Sequence, residues 1–239
     1  MRRQLGLKTL LRMILIFCTF NLLAASETRS SSSYVFNRSL LVELEYTLLP
    51  LGDIQPQGWL RHTLEAMRDG MTGHLDELWE DVGPNCGWIG GSGPAWERPV
   101  YWLDGLVPLA YILNDQKLIN KGQKYIEWIL NSQREDGFFG QVEDTTRKFG
   151  ENEHYLAYVE KMKEDWWPRM VALKVLQSYY DATVDQRVID FMLKYFKYQQ
   201  ANIEEKQLDH WSHWSKTRGG ENLASTSTVP SRLEWVNII

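Results

Sequence analysis

The chain has 239 residues, of which 44% are apolar and 24% charged, so it is long enough for one large globular domain or two small ones and is not disordered overall. Its formal charge is −5, and without the first 25 residues 26 basic groups less four leave 22 against 31 acidic, a balance of −9 that excludes a nucleic-acid binder. Of two cysteines only Cys86 lies beyond that segment, which excludes an internal disulfide in the mature chain.

Residues 1–25 read as a signal peptide. Arg2, Arg3, Lys8 and Arg12 precede the apolar run Met13 to Ala25, which closes on small residues and is shorter than the ~20 residues of a spanning helix. The expected location is therefore secreted or in the secretory lumen, with no membrane attachment after cleavage. A Ser-rich leader and extended segment follow over 26–47, with a glycosylation sequon at Asn37. Leu40 to Ile54 is expected to be short and extended until Pro50, Gly52 and Pro56 break it.

From Pro56 the spacing of Trp59, Leu60, Thr63, Leu64 and Met67 predicts a helix ended by Gly70 and Gly73. Residues 83–95 hold five glycines and two prolines and form a loop in which Trp88 and Ile89 must pack. Cys86 in this loop reads as a small buried residue. After Trp96-Glu97-Arg98-Pro99 a helix apolar on most sides runs to Leu113, with a kink expected at Pro108. Asn114-Asp115 turns the chain into a second helix, Gln116 to Asn131, and Gln133 to Gly140 closes the hairpin, with Gln133 and Asp136 fixing the turn.

A polar insertion, Gln141 to Glu164, carries a short helix near 155–162. The hairpin then repeats: Asp165-Trp166-Trp167-Pro168 opens a helix to Thr183, Val184-Asp185 turns, and Gln186 to Gln199 returns. Placing Asp115 on Asp185 sets the offset at 70 residues. A third helix is expected to begin near Arg218, before the Ser/Thr-rich tail 225–239. Repeated helical hairpins form either an open solenoid or a closed ring. A ring of six at this period needs roughly 350 to 420 residues. The chain therefore reads as an incomplete ring with uncovered apolar faces, and its tail as a truncation.

Trp96 to Gly105 mixes charged groups with large aromatics, the combination that sugars require: CH faces stack on rings while hydroxyls pair with charged groups. Glu97, Arg98, Trp102 and Asp104 are accordingly candidate substrate contacts, with Asp165, Trp166, Trp167, Arg218 and Asn222 from the later helix starts. Simpler roles stand beside them: a first-turn charge for Glu97 or its pairing with Arg98, a hydrogen bond to a neighbouring hairpin for Asp104, an N-cap for Asp165, core packing for one of Trp166 and Trp167, and a backbone hydrogen bond for Asn222. His210 and His213 lie three apart, but with no further ligand near they read as packing residues and no metal site is assigned.

The segments Leu51-Gly52-Asp53-Ile54-x-Pro56-x-Gly58-Trp59-Leu60, Gly73-His74-Leu75-Asp76-Glu77, Trp96-Glu97-Arg98, Tyr101 to Tyr111, Asp165-Trp166-Trp167-Pro168 and Arg218-Gly219-Gly220-Glu221-Asn222-Leu223 resemble, in order and spacing, the beta-L-arabinofuranosidases of glycoside hydrolase family 127 and their relatives. The likeness spans about 48–224, the amino-terminal part of that family's catalytic domain. It implies an all-α fold, helical hairpins of an (α/α)6 toroid with a sugar site in the central cavity, here incomplete and preceded by a short extended segment. It also implies hydrolysis of glycosidic bonds in complex glycans. Characterised members carry a cysteine nucleophile, a glutamate acid/base and a zinc ion held by cysteines and a glutamate in the later half of the domain. No residue of this sequence matches those motifs, and Cys86 lies outside them. The catalytic residues are thus unassigned and no cofactor is expected in this chain, although zinc is possible in a full-length relative. The competing reading is a carbohydrate-binding or interaction protein without catalysis. A terpenoid cyclase, suggested by the Gln133 to Gly140 turn, lacks its acidic motif here.

Overall fold

In the computed structural model the described residues are 49–232 except 94, 95, 143 and 147, together with 42, 45 and 46, and they are helical, with no strand among them. The signal peptide, Asn37 and residues 233–239 lie outside this set, as does nearly all of the leader. The helices are α1 Gly58–Asp69, α2 Met71–Leu78, α3 Glu97–Leu113, α4 Gln116–Asn131, α5 His154–Lys161, α6 Trp166–Thr183, α7 Gln186–Asn202, α8 His213–Thr217 and α9 Gly219–Arg232, with one 3-10 turn at Gly87–Ile89. None of them is long and apolar enough to cross a membrane.

The two predicted hairpins form as α3–α4 and α6–α7, and the turns that join their helices correspond at the 70-residue offset. Asp115 and Asp185 are both N-caps, accepting from Lys117 N and Leu118 N in one copy and from Arg187 N in the other. The residue before each cap, Asn114 or Val184, ends the preceding helix in the left-handed conformation, with φ of 52° and 55°. Asparagine tolerates that region, whereas a β-branched residue meets its own carbonyl there. Val184 is two-thirds exposed, so its side chain contributes little packing in return. Val184→Asn, which copies the first hairpin, is expected to raise stability by about 1 kcal/mol, read as a higher urea midpoint at unchanged slope; Asn114→Val should lower it.

Helices α3, α6 and α9 form an inner layer, backed by α4 and α7. Contacts down the α3–α6 interface keep one order: Glu97 meets Trp167, Asp104 meets Lys174 and Tyr111 meets Tyr179. The two helices are therefore parallel and in register. Because neighbours cover them on several sides, both are apolar around most of their circumference, and α6 alone buries Trp166, Trp167, Met170, Leu173, Val175 and Leu176. Parallel inner helices backed by antiparallel outer ones are the arrangement expected of a toroid.

The loop before α3 packs as expected. Trp88 is buried, donates from Nε1 to Trp96 O at 2.8 Å and meets Trp128 and Phe139. The closing turn of the first hairpin is held by Gln133, whose Nε2 donates to Gly137 O and to Phe191 O of α7, and by Asp136, which accepts from Phe138 N. Gly137 has φ of 101°, and a Cβ there would lie 2.3 Å from Lys194 O. In contrast α1 buries no side chain and, among the described residues, leaves Trp59, Leu60 and Met67 exposed. Helix α9 runs to Arg232, through the Ser/Thr stretch at which the sequence suggested an end; Thr226 Oγ1 donates back to Asn222 O and takes its polarity into the helix.

Candidate functional site

One face between α3 and α6 brings together four of the nine candidate residues, Glu97, Asp104, Trp167 and Arg218. Glu97, Tyr101 and Asp104 fall at i, i+4 and i+7 and so share one face of α3. Trp167 on α6 donates from Nε1 to Glu97 Oε2 at 2.5 Å, and among the described residues no other group donates to this carboxylate. The Tyr101 ring lies 5.7 Å from that of Trp167 and keeps 41% of its surface exposed. One turn further, Lys174 Nζ donates to Asp104 Oδ2 at 2.9 Å. The Arg218 guanidinium lies over Trp167 at 5.0 Å and over Trp214 at 5.6 Å.

The electrostatics follow from this placement. Hydrogen bonding to Asp104 pushes the Lys174 ammonium up, so it stays charged. Burial pushes the Tyr101 phenol up, opposed by Arg218 and helped by Glu97, Glu221 and Asp104. The face thus offers carboxylate acceptors, cationic donors, a phenol and open ring surface together. Such a set orients hydroxyls and stacks on sugar CH groups. It holds no activated nucleophile. Cys86 is wholly buried, its Sγ accepts from Trp88 N at 3.2 Å, and burial pushes its thiol up to about 12, so it stays protonated and inert.

The remaining candidates lie elsewhere. Trp102 is buried and donates to Thr72 O, tying α3 to α2. Trp166 is buried against Tyr195, Tyr198 and Trp211 and donates to Lys206 O. Asp165 caps α6 but does more: wholly buried, it accepts from Trp96 Nε1, Trp167 N, Ser212 Oγ and Ser215 Oγ. Asn222 exchanges hydrogen bonds with Gln199. Arg98 pairs with Asp81, not with Glu97, and sits between the rings of Trp79 and Tyr155 at 5.1 and 4.6 Å, just outside the α3 face. His210 and His213 pack on Trp211 and Trp214.

Tyr101 and Lys174 join the face without having been singled out. Lys174 was nonetheless visible, since the 70-residue offset lays it on Asp104. Among the described residues no three His, Cys, Asp or Glu side chains are grouped as zinc ligands would be.

The family model for the beta-L-arabinofuranosidase GH127 catalytic domain matches residues 27–228. No curated protein and no solved structure matches the chain. Carrying that match over most of its length and the helical hairpins expected with it, the chain belongs to the beta-L-arabinofuranosidase GH127 catalytic-domain family.

Proposed function

We propose that this chain is the substrate-recognising wall of a secreted glycoside hydrolase domain acting on L-arabinofuranosides of complex glycans. The carrying observation is the α3 face, where Glu97, Tyr101 and Asp104 stand in line against Trp167, Lys174 and Arg218. Asp104 and Lys174 would accept from and donate to neighbouring hydroxyls, Glu97 would take a third, and the Tyr101 ring would meet the sugar's apolar side. Family membership supports the glycosidic substrate. The run of residues 1–25 supports secretion. Residues matching the family's nucleophile and acid/base are not found in this sequence, so the chain alone is expected to bind without turning over.

A non-catalytic carbohydrate-binding role is the second reading, favoured by one feature: both carboxylates of the face are engaged as acceptors, and the sole cysteine of the described residues is an inert thiol. The test is titration of the purified chain with methyl β-L-arabinofuranoside, followed by tryptophan fluorescence, together with a hydrolysis assay on the nitrophenyl glycoside with added zinc. Saturable binding weakened about tenfold by Asp104→Ala is expected, the loss of one charge-assisted hydrogen bond. Hydrolysis by the chain would remove the claim that its chemistry lies elsewhere. Absence of any saturable binding would remove the recognition claim.

A further inference from the structure

The segment between the two hairpins is read from sequence as a polar insertion, and the α3 face makes no use of it. Its helix α5 carries Tyr155 and Tyr158, three residues apart and hence on one side of the helix. Both rings lean on the start of α3. Tyr155 covers the guanidinium of Arg98, with Cζ 4.6 Å from the ring centre, and Tyr158 meets the edge of Trp96 at 5.6 Å. Trp96 and Arg98 flank Glu97. The Glu97 charge acts on Tyr155, Tyr158 and Tyr101 alike, although burial is the chief cause of the raised phenol pKa in each case.

The tyrosines of α5 thus meet the two chain neighbours of Glu97, the residue that Trp167 binds on the α3 face. They remain 41% and 43% exposed, and Trp79, on the far side of Arg98, remains 39% exposed. Open rings interleaved with the Arg98–Asp81 pair repeat the chemistry of the α3 face.

The platform is also anchored. Glu160, on the side of α5 opposite the two tyrosines, is buried, as is Val159 beside it. Glu160 binds Lys163 at 2.9 Å within the interior and accepts from Asp144 N at 2.7 Å. A buried ion pair fastens the helix while two tyrosines face out, an arrangement suited to a binding surface and not needed to close a core.

We propose that α5 provides a second sugar platform: the substrate is an oligosaccharide, with one residue on the α3 face and the next stacked on Tyr155 and Tyr158, flanked by Arg98 and Trp79. This rests on the reading of the α3 face as a sugar site. Continuity favours a further sugar over an unrelated partner, because Trp96 and Arg98, on which the α5 rings rest, directly flank Glu97 of the α3 face in the chain, and both surfaces offer the same mixture of ring faces and paired charges.

The test compares methyl β-L-arabinofuranoside with the L-arabinofuranosyl disaccharide and trisaccharide on the full chain, by calorimetry and by transfer of saturation from the protein to sugar protons. Affinity is expected to rise about tenfold from the methyl glycoside to the trisaccharide. Tyr155→Ala with Tyr158→Ala should erase that rise and leave the methyl glycoside unaffected, while the double exchange to phenylalanine keeps it, since stacking needs the ring and not the hydroxyl. The two single alanine variants, each with Val159 and Glu160 intact, guard against loss of the helix; each should remove part of the rise. Equal affinity across the three sugars, or a rise that survives in the alanine variants, overturns the second platform while leaving the α3 face standing. Binding of none of them overturns the α3 reading and the platform with it.

Discussion

Replacing Asp165 by alanine is expected to lower the stability of the chain by about 3–5 kcal/mol, enough to abolish a cooperative unfolding transition if the native margin is ordinary. Its carboxylate is wholly buried and joins three separate stretches: Trp96 before α3, the first turn of α6, and Ser212 and Ser215 around the start of α8. Alanine would leave the Trp96 indole N–H in the interior without a partner and remove the cap of α6, and each of these losses costs about 1–2 kcal/mol. The serine hydroxyls can rotate toward other acceptors, whereas the indole cannot. Asp165→Asn should therefore be the milder change, since its amide oxygen still accepts from Trp167 N or the indole. Urea unfolding of the three proteins checks the order; an alanine variant within about 1 kcal/mol of the parent would show that this junction does not hold the chain together.

Arg169→Leu is expected to cost about 3 kcal/mol by a different route. The guanidinium is wholly buried, and burial pulls its pKa down to about 10, which still leaves it charged at neutral pH. It donates to Phe139 O, Asp165 O and Gln141 O, and it lies over the Phe138 ring at 4.1 Å. The closing turn of the first hairpin is thus fastened to the opening of the second by one planar fork. Arg169→Lys should recover little, because a single ammonium cannot reach carbonyls set around a guanidinium plane. Removal of the cation also ends the Coulombic attraction between Arg169 and Asp165. The Asp165→Asn and Arg169→Leu double variant should then lose less than the sum of the singles, measured as a coupling energy of about 1 kcal/mol or more in a double-mutant cycle. Strict additivity would mean that the two charges act independently.

Much of the architecture was legible in the sequence because its signals are local. Asp165 caps its helix as the pattern indicates, the turns at Asn114-Asp115 and Val184-Asp185 form, Gln133 and Asp136 hold the expected turn, and the short helix of the insertion forms within a residue of its anticipated bounds. The face that each inner-layer side chain presents was not legible. A helix covered on several sides is apolar all around, so periodicity cannot separate Trp102, which points inward to Thr72, from its neighbour Tyr101, which is open. Arg169 escaped for the same reason: one buried arginine among apolar residues has no spacing to mark it, and two of its three carbonyl partners lie 28 and 30 residues away. The roles of Tyr155 and Tyr158 depend on where the insertion folds, which is set by Glu160 and Lys163 through contacts that spacing alone does not encode.

The in-register stacking of α3 on α6 has a consequence for how this sequence can change. Position 104 faces 174 and position 97 faces 167, so each residue's acceptable substitutes are dictated by a residue 70 places away. A neutral replacement of Asp104 strands the Lys174 ammonium, and a leucine in place of Trp167 removes the one indole that faces Glu97. The unit of variation along this interface is the rung and not the residue: drift at one hairpin is tolerated when its counterpart in the other drifts to match.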